Sequence, residues 1–421
     1  MKAVYCLKII VWLCLYTLFY NSTAICEPYT PHRFISTALS DPSVTSFRSL
    51  KDLSEKAPGD TPYIEGIELR AGVQSAEDDS QQNYRLRFYP RPWGETKNNR
   101  QLYDIQHQAF EIEQNRYLSQ ALRQRYALVL KYIWCAQQLK LKRGLEKVYE
   151  DRTFVLQKKL AIRRDADVGA LISAENKHLA LSLEINELEI QMTGLTGTIR
   201  RLAADTTGSI AFNEDNLISV AQLKKIVVGQ TVLVADKNID VALQKKRMEL
   251  ADRQFDVENA KSRDYFRYFE VGQSRDDKEE TISFEIGLRL PFITSARNSI
   301  WERKVDAQRE KIDYDQAKMT TTEQMVALQH EIEFLISQHG ILKKGLKKGN
   351  ALRAVRSHIT ATGGDPLDLL KLNESMLEHD IQLNDTTFAV RSKFIEFMDL
   401  TGQLTQKPLI DYLSNYLIEL L

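Results

Sequence analysis

A chain of 421 residues has room for one large domain or two ordinary ones. With 43% apolar and 27% charged residues, it is excluded from the mostly disordered class and suits long, solvated helices. Formal net charge is zero, so overall charge points to no nucleic acid and to no strongly acidic partner.

The first element is a leader. Lys2 and Lys8 precede an apolar run from Ile9 through Leu15 and on to Phe19, and Ser22-Thr23-Ala24 ends it with small residues. This pattern predicts a secretory signal peptide over residues 1–24 rather than a membrane anchor. Cys26 follows the cleavage site and is a candidate for lipidation, although Ile25 stands where Gly, Ala or Ser is preferred. Cleavage leaves Cys26 and Cys135, too few for a disulfide framework. No other apolar run reaches the roughly 18–20 residues of a spanning helix, so a membrane-spanning form of the mature chain must use strands.

The chain then reads as two copies. Gln74-Ser75 answers Gln273-Ser274, Pro92-Trp93 answers Pro291-Phe292, and Asn99 answers Asn298. All three pairs share an offset of 199, which also relates Glu175 to Glu374. The expected boundaries are a first repeat over 25–210, a second over 211–405 and a C-terminal tail over 406–421.

Each copy opens on a β-hairpin, about 63–90 and 265–292. In the second, Ile282, Phe284, Ile286, Leu288 and Leu290 alternate with polar residues, which predicts a strand with one greasy face turned to lipid. In the first, Ile67, Leu69 and Ala71, then Tyr84, Leu86 and Phe88, alternate with charged residues or glycine. Four strands cannot close a barrel, because the smallest membrane barrels have about eight. Two chains would supply eight and three would supply twelve; a soluble hairpin packed on helices remains the other reading.

Long helical segments follow, about 97–203 in the first copy and 296–402 in the second, each an outgoing and a returning helix. Leu122, Tyr126, Val129, Ile133 and Ala136 are spaced 4, 3, 4, 3, as are Leu181, Ile185, Leu188, Met192 and Leu195; both are coiled-coil seams. Thr193-Gly194-Leu195-Thr196-Gly197 reads as the end of the first return helix. The turns between outgoing and returning helices are acidic, with Asp165 and Asp167 in one and Asp365 and Asp368 in the other. These aspartates read either as helix caps or as groups lining a pore.

Catalytic, nucleotide-binding and metal-binding motifs are absent from the sequence, so no enzyme, cofactor or metal is expected. Hairpin, Pro-aromatic exit, long helix, Gly363-Gly364-Asp365-Pro366-Leu367-Asp368-Leu369-Leu370 and the closing Leu400-Thr401-Gly402 resemble the TolC-like outer-membrane efflux family, the outer membrane factors.

That resemblance implies a mainly helical chain with a small β part, assembled as a homotrimer with a 12-stranded barrel and a periplasmic helical tunnel. It implies a location in the outer membrane of a Gram-negative bacterium. It also implies partners: outer-membrane lipid, a periplasmic adaptor (membrane fusion) protein and an inner-membrane transporter of an efflux pump or type I secretion system. It places Asp368 at the tunnel's tip, with Lys371 where a second acid is common in the family and with Arg163 and Arg164 as candidate tip partners. The competing reading is a periplasmic coiled-coil adaptor or structural protein without a pore.

Overall fold

The structure, a computed structural model, describes residues 28–56, 61–76, 79–162, 168–204, 209–229, 234–275, 279–289, 296–347, 357 and 365–420. The leader, Cys26, the turn holding Arg163, Arg164, Asp165 and Asp167, the Gly363-Gly364 pair and Leu290 lie outside the described residues.

The chain is mainly helical with one small antiparallel sheet. In chain order the elements are α1 (Pro31–Ser36), α2 (Pro42–Glu55), β1 (Ile64–Ala76), β2 (Asp79–Pro90), α3 (Glu95–Ile162) and α4 (Val168–Leu202). Then come α5 (Val220–Gly229), α6 (Ile239–Lys261), β3 (Phe266–Arg275), β4 (Glu280–Leu288), α7 (Ala296–Lys347) and α8 (Pro366–Leu400). Helix, hairpin, long helix and return helix therefore occur twice. At 68 residues, α3 runs about 100 Å at ~1.5 Å per residue. The sheet sits at one end of this helical body, in the order β1-β2-β3-β4. No helix among the described residues is long and apolar enough to cross a membrane.

The two return helices have equal length, 35 residues each. The first of them ends at Leu202, at the 97–203 bound expected for the first copy's helices, so the glycine-containing stretch that reads as an ending at Gly197 lies inside the helix, five residues short of its end. The reason is packing. Leu195 and Ile199 are both buried and carry the seam past the glycines, which cost only about 1 kcal/mol each in a helix. Gly402 is different. It follows the C-cap Thr401 with φ +73°, and a Cβ there would lie 2.0 Å from the Lys237 carbonyl oxygen. Only glycine allows both the left-handed turn and that approach.

The main core lies around the middle of α3, where both ends of the described chain converge. Phe34 and Ile35 of α1, Leu122, Tyr126 and Val129 of α3, Phe394 and Phe397 of α8, and Leu413 and Leu420 near the C-terminus pack together. The segment after 405 is thus not a free tail: Tyr126 Oη donates to the Ile410 carbonyl at 3.3 Å and accepts from the Tyr412 amide at 3.1 Å. Arg125, only 1% exposed, anchors the start of α2 to α3. It donates to Asp41 at 2.8 Å and to Thr37 Oγ1 at 2.9 Å, so its buried charge is answered.

Candidate functional site

Register aligns the apolar residues of all four strands. Leu69, Leu86, Val271 and Phe284 form one row across the sheet, and Ile67, Phe88, Phe269 and Ile286 form the next. Because side chains alternate with period two, the row between them, Glu68-Arg87-Glu270-Glu285, and the row beyond Leu69, Arg70-Arg85-Gly272-Ser283, are polar. Ile282 and Leu288 share the apolar face of β4 and are exposed, as are Ile286 and Phe284, the last at 79%. Among the described residues nothing covers this face.

The polar face is built quite differently. Glu270 is 4% exposed and takes Arg87 at 2.5 Å and Arg85 at 3.6 Å. Tyr89 Oη donates to Glu68 at 2.6 Å, Tyr268 Oη donates to Glu285 at 2.5 Å, and the Arg87 guanidinium lies 4.0 Å from the Tyr268 ring centroid. Three arginines thus answer three glutamates in the two polar rows. The sheet has a polar, charge-compensated face and a bare apolar one.

Both lateral edges of the protein are unsatisfied. β1 and β4 each pair on one side only. Below them, α4 and α7 each carry two apolar seams. On α4 the buried seam is Ala174, Leu181, Ile185 and Leu188, while Ile172, Leu179, Leu183 and Ile190 are exposed. On α7, Ala307, Met325, Leu328 and Ile332 are buried, while Val305, Ile312, Met319, Val326 and Phe334 are exposed. Most exposed members lie two residues from a buried one, about 200° around the helix. A helix apolar on opposite sides is made to sit between two neighbours, and here each has a neighbour on one side.

At the end away from the sheet, the end of α3 meets the beginning of α8, and the last described turns of α7 lie further up α8, where the Leu342 carbonyl is 2.8 Å from His379 Nε2. Asp365 caps α8 by accepting from the Leu367 amide at 3.0 Å, and it pairs with Lys159 of α3 at 2.5 Å. The Lys159 hydrogen bond, helped by that amide, holds its carboxyl below the usual range. Asp368 faces Lys371 one turn on, 3.7 Å away, both well exposed. So the structure shows Asp365 capping and bridging, and shows Asp368 and Lys371 as a local exposed pair.

One turn above lies a cluster that the sequence reading did not single out. Glu374 of α8, 7% exposed, accepts from Tyr149 Oη at 2.9 Å, from Arg152 at 2.8 Å and from Lys177 Nζ at 2.9 Å. Three helices meet on one carboxylate. Burial works against its ionisation, but hydrogen bonds from Lys177 and Tyr149 and the charges of Lys177 and Arg152 outweigh it and hold the pKa low. Burial and the bond to Glu374 push the Tyr149 phenol up, so it stays a donor. The signal was present in the pattern: Glu374, Arg152 and Lys177 stand at seam spacing beside Leu377, Tyr149 and Leu181, and a charge in a seam needs a partner.

The whole arrangement matches solved membrane proteins. VceC, an outer membrane protein of Vibrio cholerae, superposes with a TM-score of 0.62 at 11% identity, covering 88% of this chain and 96% of that one. The fold is that of the outer-membrane channels. The open-state outer membrane channel MtrE of Neisseria gonorrhoeae gives 0.61 at 12% identity over 90% and 91% of the two chains. CusC, whose structures report folding and transmembrane channel formation, gives 0.60 at 14% over 88% and 91%. No protein-family model matches the sequence, and no curated protein matches it. The outer-membrane channel fold is thus carried by a sequence far from those of these three structures. That distance is physically reasonable, since seams and strand alternation ask for residue classes rather than residue identities.

Proposed function

We propose that this protein is an outer-membrane channel, in which three copies pool twelve strands into a barrel and continue it inward as a helical tunnel. The observation that carries this reading is the coincidence of open strand edges and second apolar seams on the same two sides of one protomer. A single protomer with the sheet face bare and both edges open cannot be stable in water or in lipid. Joining β4 of one copy to β1 of the next pairs the open backbone groups. It also brings the outer seam of α7 toward that of α4. The apolar strand face then turns to outer-membrane lipid, and the compensated polar face lines the lumen. In this reading conduction is passive, and cargo comes from an inner-membrane transporter reached through a periplasmic adaptor, as part of an efflux pump or a type I secretion system.

In this reading the Glu374 cluster ties the two helical hairpins together near the periplasmic tip, with Lys159–Asp365 as a weaker exposed pair below it, while Lys371–Asp368 stays within α8. The acidic turn with Asp165 and Asp167, flanked by Arg163 and Arg164, belongs to the same tip by its place in sequence.

Native mass analysis in detergent tests the assembly: a trimer is expected, and a monomer that keeps its strands overturns the barrel. A pore-free periplasmic adaptor would instead leave the outer-membrane fraction on fractionation.

A further inference from the structure

Closing the barrel fixes a quantity that one protomer does not display: how far β4 slides along β1 of the next copy. Inside the protomer the rows run level, Leu69 with Phe284 and Val73 with Glu280, the first residue of β4. The backbone of β1 overhangs that level by three residues, Gln74, Ser75 and Ala76. Level rows cannot close a barrel, because tilted strands return to their start displaced by the shear. Three-fold symmetry divides that displacement into three equal steps, one at each junction. Each step is an even number of residues, since an odd one would turn lipid-facing side chains into the lumen. With strands about 4.8 Å apart, a rise of about 3.3 Å per residue and tilts of about 35–45°, four strands demand a step of about four to six residues. Four and six are the two even choices.

Side chains discriminate between them. A slide that carries β4 toward the overhang gives the backbone of Gln74–Ala76 a partner, and a slide the other way lengthens the overhang. At a step of four, Leu69, Ala71 and Val73 stand opposite Leu288, Ile286 and Phe284 of the partner subunit, apolar against apolar on the lipid face. On the lumen face Glu68 meets Arg289 of the partner subunit. At a step of six, Arg70 meets Arg289 of the partner subunit instead, and like charges directly opposite are destabilising. Both members of the favoured pair are suited to it. Arg289 is well exposed and makes one long contact of 3.5 Å with Asp264 of its own chain. Glu68 opens the row Glu68-Arg87-Glu270-Glu285, three glutamates to one arginine, so a cation is favoured at that open end.

We propose that copies of this chain join with β4 slid four residues along β1, and that Glu68 pairs with Arg289 of the partner subunit across each junction. The proposal rests on the channel reading above and adds the register of its junctions. Two of these ion pairs then flank every protomer on the lumen side, while the apolar rows continue unbroken around the lipid side.

The test is oxidative cross-linking of the full-length protein in outer membranes, with Cys26→Ser and Cys135→Ala as the parent. Ser283→Cys is combined in turn with Gln74→Cys, Ala76→Cys and Arg70→Cys, which stand opposite it at steps of four, six and zero. β1 and β4 are opposite edges of one protomer, so a disulfide between them joins two copies. Expected is a covalent trimer on non-reducing gels from Gln74→Cys/Ser283→Cys, with loss of that band in the other two combinations. A band from Ala76→Cys or Arg70→Cys instead, or from none of the three while the trimer still forms, overturns the step of four. A parent that forms no trimer at all overturns the channel reading itself. The ion pair is read by a double-mutant cycle on trimer yield: Arg289→Gln is expected to lower it when Glu68 is present and to lower it no further once Glu68→Gln is in place. Strictly additive losses overturn the pair.

Discussion

Arginine in place of Phe284 or Ile286 is expected to abolish assembly of the barrel, whereas arginine at Ser283 between them is expected to be mild. Phe284 and Ile286 stand on the bare face, in rows that run unbroken through Val271, Leu86 and Leu69, and through Phe269, Phe88 and Ile67. In a membrane that face meets hydrocarbon, and an arginine near the midplane costs about 2–4 kcal/mol. In the proposed trimer the change occurs three times, so the cost is met three times. Ser283 occupies the opposite face, where a longer polar side chain can extend into water. The yield of trimer in isolated outer membranes, with refolding into lipid vesicles under a urea titration, measures the difference. Equal losses at 283 and 284 would show that the apolar face is covered by protein instead of lipid.

Glu374→Gln is expected to loosen the tip. The substitution keeps the shape but removes the charge on which Arg152 and Lys177 converge, leaving Arg152 largely buried without its counter-ion. Loss of one partner of such a cluster costs about 2–3 kcal/mol per protomer. Tyr149→Phe removes one neutral donor and should cost about 1 kcal/mol. Because the clasp joins α3 and α4 to α8, Glu374→Gln should raise the conductance of the resting channel, and Tyr149→Phe should raise it less. The pH dependence follows from the lowered carboxyl pKa. The contribution is complete above the ordinary carboxylate value of 4.5 and is lost as pH falls below it through the depressed folded value. Resting conductance of the wild type should therefore rise in strong acid and stay flat from pH 5 to 8, while the variant shows no such step. Single-channel recording with a thermal melt at each pH decides this. If Glu374→Gln melts as the wild type does and conducts no more, the cluster does not hold the tip.

How much of this was legible from residues alone differs by element. The alternation at Ile282–Leu288 and at Tyr84–Phe88 specified both the strands and their apolar faces, because period two is written directly into the order of side chains. The seam at Leu122–Ile133 likewise specified a helix and its inward side, and most of those residues are buried. Gly197 misled because a glycine followed by more apolar seam residues looks locally like Gly402. What separates them is the Lys237 carbonyl that closes on Gly402, a contact 165 positions away in sequence. Helix α6, which packs between α3 and α7, carries no strong periodic signal of its own; it is held by its neighbours rather than by its pattern.

Class, duplication, strand faces and helix seams were thus determined by the sequence, since each depends on residues within a few positions of one another. Tertiary structure decided which rows align across four strands, which sides of α4 and α7 remain open, and that Glu374, rather than Asp365 or Asp368, gathers three donors. Those outcomes depend on helices and strands far apart in the chain meeting at one level. Register between distant elements is set by packing over their whole length, and no local pattern contains it.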